Sequence, residues 1–287
     1  MTQLATTAIT YKIIRIDNEE QTHMDIEKYG PWAVIAGGSE GVGAAFAEQL
    51  AERGMNLVLL ARKEAPLLET AEKCRGYGVE VRILSVDLLA ADALERIRQL
   101  TDDLTVGLFI YNAGANTYGH EFVTGDLERF QAVIDLNITA QLKLLQHFGA
   151  PMRERRRGGI ILVGSLSGFL GSAQISIYSA VKSFCRTFAE GLWLEMRDYD
   201  VDVLELVLGL TRTPAMARAG LKMDTPGLLI SEPADVATQG LANITNGPVV
   251  VVKEFEAAVV KNSGHNRAEL LLEAREAAKK LLPPPSQ

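Results

Sequence analysis

The chain is poor in the residues that build cross-links and metal centres. Among 287 residues there are only two cysteines, Cys74 and Cys185, and four histidines, His23, His120, His147 and His265. Neither set has the spacing of a disulfide framework or a ligand cluster, so no metal is predicted. Long apolar runs are also missing. No stretch of about eighteen apolar residues occurs and the N-terminus carries no cleavable signal pattern, so no membrane partner is expected and a cytoplasmic location is the default. Nor is there an excess of positive charge. With 29 basic and 36 acidic side chains, a net charge of -7 and a pI near 5.3, the protein has no field to attract nucleic acid. The one basic run, at Arg153, Arg155, Arg156 and Arg157, follows a long helical stretch, where cations complement the helix dipole.

What is present is an aliphatic chain with a regular rhythm. Hydrophobic residues make up 47% of the sequence and charged ones 23%, enough to bury one large core as a single domain. Strand-like runs are predicted at Trp32 to Ala36, Asn56 to Leu60, Val79 to Ser85, Val106 to Tyr111, Ile160 to Val163, Val201 to Val207 and Pro248 to Val252, with helical patterns between most of them. Several are apolar at every position, as strands covered on both faces must be. The expected architecture is therefore α/β: a doubly wound parallel sheet of about seven strands, with helices on both faces and a ligand crevice at the carboxyl ends of the strands. Residues 1–30 are polar and read as an N-terminal extension, leaving 31–287 as one dinucleotide-binding and catalytic domain. An amphipathic helix is predicted over about 267–282, ending before Pro283.

Two local patterns carry chemistry. The first predicted strand runs into Gly37-Gly38-Ser39-Glu40-Gly41-Val42-Gly43 and then into a helix. Such a turn offers backbone N–H groups and a helix N-terminus to a diphosphate. Further along, Tyr178 is followed four residues later by Lys182, with Ser165 thirteen residues upstream. Placed one helical turn from the phenol, the Lys182 ammonium favours the phenolate, while a hydroxyl from a strand end can hold a substrate oxygen. A phenol poised in this way serves as general acid or base on a carbonyl or alcohol oxygen.

These residues resemble the short-chain dehydrogenase/reductase family over roughly Pro31 to Val252. The resemblance implies a Rossmann-like fold and a catalytic set of Asn137, Ser165, Tyr178 and Lys182. It further implies that Gly37, Ser39, Glu40, Gly41, Val42 and Gly43 bind the cofactor, together with Asn112, Ala113 and Gly114, with Asp87 at the adenine, with Tyr178 and Lys182, and with Gly209 and Thr213. Three positions depart from the family motifs: Ala36 for threonine, Tyr111 for asparagine and Leu208 for proline. Where NAD-preferring members place an aspartate after the second strand, this chain has Ala61 followed by Arg62, so NADP(H) is expected in preference to NAD(H).

The expected reaction is interconversion of ketones and secondary alcohols with an apolar or bulky small-molecule substrate. A hydroxysteroid dehydrogenase and an acyl-thioester ketoreductase are alternatives, and an NADPH-binding regulatory protein is the non-enzyme reading. Residues of about 213–232, including Met216, Met223, Leu228 and Leu229, are expected to form an adaptable lid, with core side chains of short helices as the alternative. Asn116, Tyr118, His120, Phe169, Leu170 and Gln174 should flank the same opening. A homodimer or homotetramer is implied by the family.

Overall fold

A computed structural model describes residues 24–221, 223–225 and 227–281. Seven parallel strands form one sheet in the order β3-β2-β1-β4-β5-β6-β7. They are β1 (Trp32–Ala36), β2 (Asn56–Ala61), β3 (Val81–Ser85), β4 (Val106–Tyr111), β5 (Gly158–Ser165), β6 (Val201–Leu208) and β7 (Val249–Val251). Every residue of β1 and β4 is buried, which is why these runs read as unbroken apolar segments and not as alternating ones. The order of the sheet reverses between β1 and β4, and their register sets Ala36 beside Tyr111. Both chains therefore leave the sheet at neighbouring points, and a crevice opens there.

Helices cover both faces. Against one face, α2 (Gly41–Glu52), α3 (Glu64–Arg75) and α9 (Pro233–Ala242) contribute Phe46, Leu50, Leu67 and Val236 to a continuous apolar cluster. Against the other, α4 (Ala93–Thr101), α6 (Ala140–Glu154) and α7 (Ser176–Met196) contribute Ile97, Phe148, Met152 and Ala189. The long helical stretch that precedes the basic run, Leu127 to Met152, is interrupted. It begins as α5 (Leu127–Ile134), capped by the Asp126 carboxylate, passes through a π-helical turn at Asp135–Thr139 and resumes as α6. Turns of this kind widen the helix by one residue and cluster at functional sites. Here the turn is centred on Asn137.

The N-terminal extension is expected over residues 1–30. Residues 1–23 lie outside the described residues, but from Met24 onward the chain packs into the domain: Met24 and Tyr29 are both buried in the core. The short helix α1 (Ile26–Tyr29) is fixed by the Tyr29 hydroxyl, which donates to Asp202 Oδ2 at 2.5 Å, and by Lys28, which pairs with Asp200 and Asp202. Tyr29→Phe removes one hydrogen bond to a charged acceptor that keeps its lysine, so a loss of about 1–2 kcal/mol is expected as a lower urea midpoint. The basic run is also structural and not merely solvated. Arg155 donates to the Val106 carbonyl, Arg156 donates to the Asp198 carbonyl at 2.6 Å, and Arg153 stacks on Tyr199.

At the other end, α10 (Glu256–Asn262) leads to α11 (Arg267–Leu281), where the sequence predicts the amphipathic C-terminal helix. Leu282 lies outside the described residues. No helix among the described residues is long and apolar enough to cross a membrane.

Candidate active site

The glycine-rich turn leaves β1 with Gly37 and Gly41 at φ +87° and +57°, conformations that side chains rarely adopt. Closer constraints come from contact. A Cβ on Gly43 would lie 1.9 Å from the Gly37 carbonyl oxygen, and one on Gly37 would lie 2.9 Å from the Ala113 nitrogen. The turn is thus pressed against the segment that follows β4, and the Asn112 side chain ties the two by donating to the Gly37 carbonyl at 2.9 Å. The first turn of α2 contains no acidic residue and receives no side-chain cap from Glu40. Its N-terminal N–H groups face the crevice mouth with a positive dipole end, which fits a dinucleotide diphosphate.

The Glu40 side chain turns elsewhere. It forms a two-point ion pair with Arg218 of α8 (Pro214–Arg218), with Lys63 4.0 Å away, and the Arg218 guanidinium holds its carboxyl below the usual range. At the base of the same segment Arg212 donates to Glu232 at 2.9 Å and reaches Asp224 at 3.5 Å. Arg212 and Arg218 are therefore both engaged within the chain. Thr213 caps α8 by accepting from the Met216 N–H, and its methyl meets the Gly41 face of the turn. Met216 and Met223 are half-buried and Leu229 is 58% exposed, so these side chains stand outside the main core.

Across the crevice, β5 ends at Ser165, whose Oγ accepts from the Ser167 N–H. The following turn rests on α7: a Cβ on Gly168 would lie 2.9 Å from the Lys182 carbonyl carbon, and Ser183 donates to the Gly168 carbonyl. On α7, Tyr178 is half-buried and Lys182 only 3% exposed. The Lys182 Nζ lies 5.6 Å from the Tyr178 ring centroid and donates to the Val163 carbonyl at 3.0 Å. A Cβ on Gly114 would sit 2.7 Å from Asn137 Oδ1 and 2.8 Å from Lys182 Nζ, so lysine and asparagine converge at that glycine. The Asn137 amide donates to the Ala115 and Val133 carbonyls, while its buried Oδ1 has no protein partner.

Arg62 is exposed at the end of β2, with its carbonyl held by Ser85. Asp87 is exposed beyond β3 and accepts from the Leu89 N–H, a turn cap. At Gly209 a Cβ would strike the Phe255 ring at 2.3 Å, which accounts for the glycine by packing. Among the residues expected around the opening, Tyr118 is committed to its own loop. Its ring lies against Phe130 and under Arg129, and its hydroxyl accepts from the Asp126 N–H. His120 stacks on it, and its backbone N–H donates to the Gln174 carbonyl, which joins the two loops. Phe169 carries Arg186 on its face and Arg267 of α11 on its carbonyl.

One buried group escaped the sequence reading. Glu205, in the middle of β6, is 1% exposed. The signal for it was a single carboxylate in the otherwise apolar strand segment from Val203 to Leu208.

A family model for short chain dehydrogenases matches residues 31–224. The 7beta-hydroxysteroid dehydrogenase of Clostridium sardiniense is 32% identical over 249 residues, which span 85% of this chain and 94% of that protein. A solved 7beta-hydroxysteroid dehydrogenase superposes with a TM-score of 0.78 at 27% identity, over 86% of this chain and 98% of the other. The short-chain dehydrogenase from Sphingobium yanoikuyae, solved in complex with NADPH, gives a TM-score of 0.73 at 29% identity over 90% and 98% of the two chains.

Proposed function

The chain belongs to the short-chain dehydrogenase family, and from that premise we propose that it is an NADP(H)-dependent oxidoreductase that interconverts a bulky apolar secondary alcohol, of the hydroxysteroid class, with its ketone. One observation carries the reading. Lys182 and Asn137 converge at Gly114 with the Tyr178 ring beside the lysine ammonium, at the strand ends that also present the glycine cradle. A regulatory binder would need the cradle and not this convergence.

In this reading Ser165 holds the substrate oxygen by a hydrogen bond and Tyr178 gives it a proton in reduction or takes one in oxidation. The Lys182 ammonium stabilises negative charge as it develops on the phenolic oxygen. Asn137, locked by its two amide hydrogen bonds, keeps Oδ1 aimed at the lysine, where protons are resupplied. A nicotinamide bound in the cradle supplies or accepts the hydride. The lid of half-exposed methionine and leucine favours an apolar substrate, and the engagement of Arg212 and Arg218 removes the cations that a charged acid would need. Exposed Leu127, Phe184 and Leu194 on α5 and α7 support a homodimer or homotetramer built across these helices.

The preference for NADP(H) rests on Arg62 and on the neutral Ala61 before it. Glu40 does not oppose a 2′-phosphate, because Arg218 and Lys63 offset its charge. Arg62→Ala is expected to weaken NADPH binding roughly 10- to 100-fold, the scale of hydrogen bonds to a charged group, with NADH binding little changed. The direct test is oxidation of NADPH and NADH by the purified protein, followed as loss of reduced-nicotinamide absorbance, with apolar ketones, oxosteroids and acyl thioesters offered in turn. Turnover of oxosteroids with NADPH supports the proposal. Tight NADPH binding with no turnover of any class would instead favour a regulatory binder.

A further inference from the structure

Glu205 lies where a carboxylate is costly. It is 1% exposed, its Oε2 has no protein partner, and β6 is flanked by β5 and β7. Alternation along β6 puts it on the face of Val201 and Val203, which pack with Ala189 and Met196 of α7. Its carboxylate fills the notch at Gly164: a Cβ there would lie 2.5 Å from Glu205 Oε1 and 2.8 Å from its Cδ. Any other residue at position 164 would displace it, and the next residue is Ser165. The strand carbonyl before the notch, Val163, is the one to which Lys182 donates.

The charged and titratable groups around the carboxylate come from α7: Lys182, Arg186, Glu190 and the Cys185 thiol. From its neighbours in the sheet, Leu162 and Val249 sit opposite it without charge. The π-turn and α6 add only the neutral Asn137 and Gln141, which the Cys185 thiol bridges by donating to the Asn137 carbonyl and to Gln141 Oε1. The Arg186 Nε and Gln141 Nε2 are likewise buried without protein partners. Lys182 is the leading positive charge on the carboxylate, ahead of Arg186.

We infer that Glu205 is a positioning residue that acts on the reaction through Lys182, its carboxylate offsetting the ammonium charge that Tyr178 experiences. The inference rests on the function proposed above. Burial pushes the Glu205 carboxyl up to about 7, against the pull of Lys182 and Arg186, so the offset switches on across neutrality. Below that range Lys182 acts on the phenol at full strength. Above it the carboxylate holds the phenol protonated to higher pH, which favours reduction and slows oxidation.

Glu205→Gln keeps the shape and removes the switch. Alcohol oxidation by the variant should match the wild type at about pH 5.5 and exceed it roughly three- to tenfold at about pH 8.5, the scale of one charge acting over about a nanometre inside a protein. A second readout needs no turnover: the ring-carbon resonance of Tyr178, assigned with Tyr178→Phe, should show an inflection near pH 7 in the wild type and none in the variant. Stability supplies a control for folding. Because the carboxyl is raised above its unfolded value of 4.5, its contribution is greatest below that value and is lost as pH rises through about 7. Glu205→Gln should therefore melt above the wild type at about pH 8.5, with the gap closing toward about pH 5.

Identical pH profiles and Tyr178 titrations in a folded Glu205→Gln protein overturn the inference and leave the proposed reaction untouched. A wild type that turns over no alcohol yet shows the Tyr178 inflection retires the reaction and keeps the coupling. Should Glu205→Gln not fold, Glu205→Met carries the same prediction. If neither folds, carbon-labelled glutamate in the wild type decides it, since a Glu205 carboxyl that does not titrate together with the Tyr178 inflection refutes the coupling.

Discussion

Tyr178→Phe is expected to lower the rate of ketone reduction by on the order of 10²- to 10⁴-fold while NADPH affinity and the thermal midpoint stay as in the wild type. The ring stays in the variant, half-buried near the Lys182 ammonium, so packing on α7 is preserved and only the proton donor is lost. Lys182 keeps its bond to the Val163 carbonyl and its approach to Asn137, which leaves the positive charge of the site in place. Stopped-flow mixing with NADPH and ketone separates the cases. A reduced rate with normal binding identifies the phenol as the acid. An unchanged rate would sink the mechanism, because it would leave the ammonium beside the ring with no phenol to act on.

Gly43→Ala should damage both fold and cofactor binding. Its methyl group would overlap the Gly37 carbonyl at 1.9 Å and the Asn112 amide at 2.7 Å. Neither obstacle is a flexible side-chain end, since the first is backbone and the second is the donor that closes the turn on the Gly37 carbonyl. The turn has to move, breaking that hydrogen bond, and a loss of about 3 kcal/mol is expected from overpacking together with the unpaired polar groups. NADPH binding, measured by calorimetry, should weaken by tenfold or more, because the N–H groups of the turn no longer point to one place. Gly191→Ala is the matched control. It lies inside α7 with open space where the new methyl would stand, and helix propensity alone should stabilise it by about 0.5–1 kcal/mol.

Much of the sheet could be read in advance because strands buried on both faces leave a signal in consecutive residues. The bounds of β1 and β4 match the sequence expectation, and β5 and β6 extend it at their ends. The spacing of Tyr178 and Lys182 was legible for a similar reason, since residues four apart on a helix share a face. The break at Asp135–Thr139 was not. A π-turn changes hydrogen-bond register without changing the apolar pattern, so periodicity carries the helix straight through Asn137. The segment after Thr213 was legible as apolar, but its attachment to the glycine turn through Arg218 and Glu40 joins residues 178 positions apart.

The sequence by itself determined the alternation of strand and helix, the glycine turn and the helical face that carries Tyr178 and Lys182. Each of these is a property of neighbours along the chain, set by steric limits at glycine, by side-chain periodicity and by burial of whole strands. Tertiary structure alone decided that Met24 and Tyr29 belong to the core, that Asn137 and Lys182 meet at Gly114, and that Glu205 occupies the notch at Gly164. Those outcomes depend on which surfaces the crossovers bring together. The cost of burying a carboxylate or an amide is fixed by what packs around it in space, and no local pattern records that.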